Sequence, residues 1–234
     1  MILAAGSGTR MGELTSRTPK PMLDVGGTPI LGHILGNLAR HGFRQVVVNL
    51  HHHGEVIEAH CGDGSRYGVA VSYVREARLL GTAGSVKHAE ALLAGEGPVL
   101  VHYGDVLTDQ DLGALLATHR EKRALATLLL HRRVSNSVVV LDGEGRVVRL
   151  LERPSAEERA GVDSPWVNSG VYLLDPSVLG LIPPDTACDF PRDIFPGLIA
   201  GGRVFGHPLT GYRCAIDSPE RLEQARRDFP GLAR

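Results

Sequence analysis

The chain has 234 residues, of which 43% are apolar and 22% charged, with a formal net charge of -1. This composition suits a globular α/β domain with a real core, and the near-neutral charge excludes a global field drawing DNA or an anionic membrane, so any anion binding must be local. Three scattered cysteines (Cys61, Cys188, Cys214) lack pairing or zinc spacing, and no apolar run approaches the roughly 20 residues of a membrane span. A soluble cytoplasmic protein without disulfides is expected.

The predicted elements begin with an apolar strand, Met1 to Ala5, that runs into Gly6-Ser7-Gly8. Apolar residues at helical spacing predict a helix over 30–40, closed by His41-Gly42. A Val-rich strand is expected over 45–50, a helix over about 54–61, a turn at Gly62-Asp63-Gly64-Ser65 and a strand over 69–74. Further on, a helix is read over 85–93, an apolar strand over 98–103, a helix over 112–122 capped by Asp109 or Asp111, and a buried strand over 125–130.

Strands apolar on both faces, alternating with helices, predict a parallel sheet. From Ser137 the pattern changes to a hairpin, 138–141 and 147–151, around Asp142-Gly143-Glu144-Gly145. A strand over 167–174, short helices over 176–182 and 193–199, one or two strands within 204–216, and a closing helix over 219–227 complete the reading. One domain, 1–234, is expected, with an alternating strand–helix half (about 1–135) and a mixed half (about 136–234).

The stretch Leu3-Ala4-Ala5-Gly6-Ser7-Gly8-Thr9-Arg10 places small residues after the first strand, where backbone N–H groups can converge on an anion or a flat base. It is neither a Walker A loop, which needs Lys-Ser/Thr after the second glycine, nor a dinucleotide fingerprint, whose third glycine is here Met11. A Gly-x-Gly alone reads first as a tight strand exit. Lys20, held between Pro19 and Pro21, cannot lie on a regular helix, so its ammonium is expected on a stiff loop. Arg10 as a fork and Lys20 as a point charge suit one polyphosphate, with solvated surface charge as the competing reading.

Gly6-x-Gly-Thr-Arg10 followed by Lys20 in a Pro-Lys-Pro setting resembles the signature of sugar-1-phosphate nucleotidyltransferases, and with Met11, Leu14-Thr15 and Met22 it is most similar to the mannose-1-phosphate guanylyltransferase branch. The resemblance implies an open mixed, mostly parallel sheet with helices on both faces, in a Rossmann-like glycosyltransferase-A arrangement. It also implies Mg²⁺ as cofactor and a nucleoside triphosphate (GTP favoured) and a sugar 1-phosphate as substrates; a homodimer is compatible with the chain, and no nucleic acid or membrane partner is expected. Larger members add a C-terminal domain, which is not expected here.

By resemblance, Leu3, Ala4, Ala5, Gly6, Ser7, Gly8, Thr9, Gly81 and Thr82 bind the nucleotide, and Gly84, Glu152, Asn168 and Gly170 the sugar. Arg10, Lys20 and Arg153 are the catalytic cations. Leu80-Gly81-Thr82-Ala83-Gly84 is expected as a loop leading into a helix. Asp105 closes an apolar strand, at the end where open α/β sheets bind ligands, and resembles the family's metal aspartate. For the second metal carboxylate many members read Gly-Tyr-Trp-x-Asp, whereas this chain reads Gly211-Tyr212-Arg213-Cys214-Ala215. Asp217 lies one strand period beyond Ala215, on the same face, and is the candidate ligand; a helix N-cap before Pro219 is its alternative.

Glu152-Arg153-Pro154 stands where relatives have Glu-Lys-Pro, which turns a point charge into a fork. Asn168 and Gly170 have a structural hairpin role as their alternative. His51-His52-His53 reads as a loop leading into the next helix, because consecutive residues cannot all face one ion from a regular element. Mannose or a manno-heptose with GTP is the favoured substrate pair; UTP or CTP with another sugar or cyclitol phosphate, and a non-catalytic sugar-nucleotide-binding protein, are the alternatives.

Overall fold

In a computed structural model, which describes residues 1–6, 8–95, 97–133 and 137–231, the fold class is α/β with a mixed, mostly parallel sheet and helices. The chain divides into two units, one of Met1–Leu79, His102–Leu112 and Thr210–Arg234, the other of Leu80–Val101 and Gly113–Leu209. Strand Val99–Tyr103 passes from the second unit into the first.

In the first unit, strand Ile2–Leu3 pairs in parallel with Gln45–Leu50 on one side and with His102 and Tyr103 on the other. Gln45–Leu50 pairs in parallel with Ala70–Arg75. Five of the six residues of Gln45–Leu50 are buried, as expected of a strand covered on both faces. Helix Ile30–Arg40 buries Ile30, Leu31, Ile34, Leu35 and Leu38. It ends in a Schellman motif: Gly42, at φ 80°, donates to the Ala39 carbonyl (3.1 Å) and Phe43 to that of Leu38 (3.0 Å). Helix Gly54–Cys61 follows the second strand.

In the second unit, Trp166–Leu174 runs antiparallel to Ala126–Arg132 and to Ser137–Leu141, which forms a hairpin with Val147–Glu152. Val204–Pro208 adds to Ala126–Arg132 in parallel. The core contains Tyr172, Phe190 and Phe195, with ring centroids 5.1 to 5.9 Å apart. Among the described residues no helix is long and apolar enough to cross a membrane.

Three local expectations are corrected. The helix expected over 85–93 begins at Gly81 and is interrupted, as Gly81–His88 and Glu90–Leu93. Its first turn is stabilised from far away in the chain, since Asp189 Oδ1 accepts from Thr82 N (2.9 Å) and the Cys188 carbonyl accepts from Ala83 N (3.0 Å). Lys20 lies on a single 3-10 turn, Lys20–Met22, rather than on irregular loop, with Pro21 accommodated at the start of that turn. The third is strand Val106–Thr108, which was not foreseen and pairs antiparallel with Arg213–Ala215.

Phe195 is fully buried against Tyr172 and Phe190. Phe195→Ala is expected to lower the unfolding free energy by about 3–5 kcal/mol in urea titration, because the cavity adds to the lost transfer energy.

Candidate active site

The first unit holds the glycine-rich loop, Arg10, Lys20, Asp105 and Asp217; the second holds Gly81, Thr82, Gly84, Glu152, Arg153, Asn168 and Gly170. Ser7 lies outside the described residues.

Leu3 ends the central strand, Ala4 and Ala5 are buried, and Gly6 is exposed. A Cβ built on Gly6 would meet no atom within 4 Å, so the space over this backbone is open. Gly8 takes φ 65°, the left-handed region glycine enters at no steric cost, and its carbonyl accepts from Met11 N (2.9 Å) and Thr15 Oγ1 (3.0 Å). Those bonds hold the loop against the 3-10 turns of Thr9–Thr15, which carry Thr9 and Arg10 outward.

Asp105 comes two residues after Tyr103, which is in register with Leu3. Between them Gly104 donates to the Leu3 carbonyl (2.9 Å), and a Cβ on it would stand 2.7 Å from that oxygen. Only glycine permits this approach. Lys20 Nζ donates to Asp105 Oδ2 at 3.0 Å, with the lysine side chain only 11% exposed. Both residues are expected in the site from their motifs, whereas their contact is not encoded in any spacing.

Asp217 is brought beside Asp105 by backbone pairing. Ala215 is in register with Val106, and Ile216 N donates to the Asp105 carbonyl (2.8 Å). The alternative role for Asp217 falls to its neighbour, since Ser218 caps the helix Pro219–Asp228 and accepts from Arg221 N. Arg10 approaches the Asp217 carboxylate at 4.0 Å. Two half-exposed carboxylates on adjoining backbone offer the hard oxygen donors that suit Mg²⁺, which keeps several waters and takes phosphate oxygens as further ligands. The residues therefore fit a divalent cation.

In the second unit, Glu152 accepts from Ser137 Oγ (2.7 Å) and lies 3.9 Å from the Arg153 guanidinium. Arg153 takes φ 50° immediately before Pro154, a conformation that costs a non-glycine residue of order 1–3 kcal/mol and that concentrates at functional sites. Asn168 sits where the ladder with Ala126–Arg132 shifts register; it donates to Tyr172 Oη (2.6 Å) and accepts from Gly170 N (3.0 Å). An amide has two N–H groups and two lone pairs, so capacity for one further donor and acceptor contact is left.

Thr82 Oγ1 donates to Asp189 (3.0 Å) and accepts from Phe190 N (2.9 Å). A Cβ on Gly81 would lie 2.5 Å from the Cys188 carbonyl oxygen, and one on Gly84 2.4 Å from that of Thr186. Both glycines therefore let another backbone segment come close. His51 donates to the Glu76 carbonyl and His53 to that of Ser16, and among the described residues no group of three metal-binding side chains occurs.

One residue escaped sequence reasoning. Asn49, 2% exposed, accepts from Ala4 N at 2.6 Å. Its signal was an amide placed after the run Val46-Val47-Val48, in the apolar part of its strand.

The family model described as Nucleotidyl transferase matches residues 1–211. An N-acetylmuramate alpha-1-phosphate uridylyltransferase of Neisseria meningitidis is 50% identical, over 97% of this chain and 96% of its own. A mannose-1-phosphate guanylyltransferase of Mycobacterium tuberculosis is 34% identical over 98% of this chain, and a UTP–glucose-1-phosphate uridylyltransferase of Synechocystis 36% identical over 88%. The chain spans 64% and 56% of the length of these last two. A putative glucose-1-phosphate thymidylyltransferase from Bacillus anthracis shares the fold, with a TM-score of 0.87 at 20% identity over 100% of this chain and 96% of its own.

His102, on the strand leading to Asp105, is buried and donates from Nδ1 to the Tyr103 carbonyl. Burial pushes its pKa down from 6.5 to about 4. The unfolded imidazole takes up a proton below about pH 6.5 and the folded one only below about pH 4. Within that window the unfolded state binds more protons, so stability falls as pH is lowered, by up to about 3 kcal/mol at the bottom. His102→Gln is expected to flatten the stability difference between pH 7 and 4.5 in urea unfolding; an unchanged pH slope refutes the assignment.

Proposed function

The chain belongs to the nucleotidyl transferase family, and we propose that it couples a nucleoside triphosphate to a sugar 1-phosphate, with residues 1–234 acting as one nucleotidyltransferase domain. The observation that carries this reading is the set in the first unit: an open glycine loop, two cations and two carboxylates, with Lys20 seated 3.0 Å from Asp105. In the proposed reaction a phosphate oxygen of the sugar 1-phosphate attacks the α-phosphorus of the triphosphate in line. A new P–O bond forms, the bond between the α-phosphorus and its bridging oxygen breaks, and pyrophosphate leaves with the electron pair.

No protein nucleophile is needed, because the attacking oxygen is already ionised at neutral pH. Catalysis is positioning and charge stabilisation. Arg10 binds the β- and γ-phosphates, and Lys20 and Arg153 bind the α-phosphate and the sugar phosphate. Leu3 to Thr9, with Gly81 and Thr82, hold the nucleotide, and Gly84, Glu152, Asn168 and Gly170 the sugar. Asp105 and Asp217 would hold Mg²⁺, which offsets negative charge on phosphate oxygens when bound.

GTP with a mannose- or manno-heptose-type 1-phosphate is the first substrate pair. It is supported by the resemblance of the N-terminal motif, with Met11, Leu14-Thr15 and Met22, to the guanylyltransferase branch and by guanylyltransferases among the relatives, such as that of Mycobacterium tuberculosis. UTP with N-acetylmuramate α-1-phosphate is the second, supported by the 50% identical uridylyltransferase, which matches over almost the whole of both chains.

Lys20→Ala is expected to reduce pyrophosphate release at least 100-fold while the thermal unfolding curve keeps its shape; near-full turnover refutes the role of Lys20. A panel of GTP, UTP, CTP and dTTP against mannose, manno-heptose, glucose and N-acetylmuramate 1-phosphates, ranked by kcat/KM, decides the pair. Release with none of them overturns the enzymatic reading in favour of a sugar-nucleotide-binding protein.

A further inference from the structure

Beneath the glycine loop lies a buried polar chain that the proposed reaction does not use. Where the backbone ladder of strand Ile2–Leu3 stops, the side chain of Asn49 continues it, its Oδ1 accepting from Ala4 N at 2.6 Å. Asn49 Nδ2 then donates to Glu76 Oε1 at 2.7 Å. Asn49 and Glu76 are 2% and 5% exposed. The main chain of Glu76 is fixed as well, its N–H donating to the Leu50 carbonyl and its carbonyl accepting from His51 Nδ1, both at 2.8 Å.

A buried carboxylate and a buried amide in a sheet of valines are costly, and strand formation alone would be better served by an apolar β-branched residue at 49. What the pair supplies that an apolar residue cannot is an oriented acceptor for one backbone N–H. Glu76 offers only acceptors, so it takes the amide nitrogen of Asn49 and leaves the amide oxygen aimed at Ala4. Ala4 stands two residues before Gly6, over whose backbone the space is open.

We propose that Asn49, oriented by Glu76, is a positioning residue for the nucleotide: through Ala4 it fixes the backbone that the triphosphate substrate lies against. The inference rests on the reading of this loop as nucleotide-binding. Its consequence is selective, touching nucleotide affinity and leaving the sugar 1-phosphate affinity alone.

The polarity of the pair provides the test. Asn49→Asp places two carboxylates against each other and removes the donor to Glu76; the KM for the triphosphate is expected to rise about tenfold or more, with far smaller changes in kcat and in the KM for the sugar 1-phosphate. The double variant Asn49→Asp with Glu76→Gln reverses the pair. The new amide at 76 donates to the new carboxylate at 49, which still accepts from Ala4, and the charge of the pair is conserved. This variant is expected to recover most of the lost triphosphate affinity, and it remains informative if the single variant does not fold.

A double variant no better than the single one, or equal rises in KM for both substrates, overturns the proposal. Nucleotide binding is followed separately by thermal stabilisation of the wild-type, single-variant and double-variant proteins with each triphosphate. Stabilisation without turnover sinks the enzymatic reading and still tests the relay, which is upheld when Asn49→Asp loses stabilisation that the double variant regains and overturned when Asn49→Asp binds like wild type. Absence of stabilisation and of turnover in the wild type overturns both.

Discussion

Parallel strands that run in register also end at one level, and in the first unit this constraint governs the rest. Leu3 is in register with Tyr103 on one side and Asn49 on the other. The chain must therefore leave the sheet at Ala4 and at Gly104 along the same edge, which is the edge where open α/β sheets bind ligands. The approach of Gly104 to the Leu3 carbonyl makes the edge tight. Any side chain at 104 would push the glycine loop away from Asp105. Asp217 inherits its position from the same place, because the strand just before it, Arg213–Ala215, pairs with the residues that follow Asp105.

The elements legible in the sequence were those whose determinants are local. Helix Ile30–Arg40 was marked by apolar spacing and by its terminal glycine, and strand Gln45–Leu50 by a run of valines. What escaped was set by partners distant along the chain. The first turn of the helix at Gly81 is capped by Asp189, more than a hundred residues on, so its motif read as loop. The strand Val106–Thr108 has only three residues and exists because Arg213–Ala215 lies beside it. Within the candidate site, the residue types at Arg10, Lys20 and Asp105 were legible by motif, whereas the pairing of Lys20 with Asp105 depends on a tertiary approach that no spacing encodes.

The second unit shows how a motif residue carries a packing requirement as well. Gly81 and Gly84 were singled out as ligand-facing, and in the structure their missing Cβ atoms admit the backbone of Thr186 and Cys188. Asn168 similarly spends half its hydrogen-bonding capacity on Tyr172 and Gly170, which sets the irregularity in its own strand. A site residue held by its own strand is pre-organised, since its rotamer is fixed before any ligand arrives. A loss of function on mutating such a residue therefore mixes two causes, and only a separate measurement of folding divides them.

Charge in the first unit follows from the same crowding. Each of the two cations assigned to phosphate already faces one of the two carboxylates assigned to metal, Lys20 with Asp105 and Arg10 with Asp217. The two pairs differ in kind. Lys20 is mostly buried and in contact, while Arg10 is exposed and at the limit of pairing, where solvent leaves such an interaction worth little. In the proposed reaction a triphosphate and its divalent cation would be drawn to the same four groups, the anion to the two bases and the cation to the two acids. A cation arriving alone would have to compete with a buried ammonium for Asp105, and a triphosphate arriving alone would have to draw Lys20 from its carboxylate. Arriving together, each ligand would compensate the charge that the other displaces, so in the proposed reaction the internal pairing of this site would favour the metal–nucleotide complex over either component.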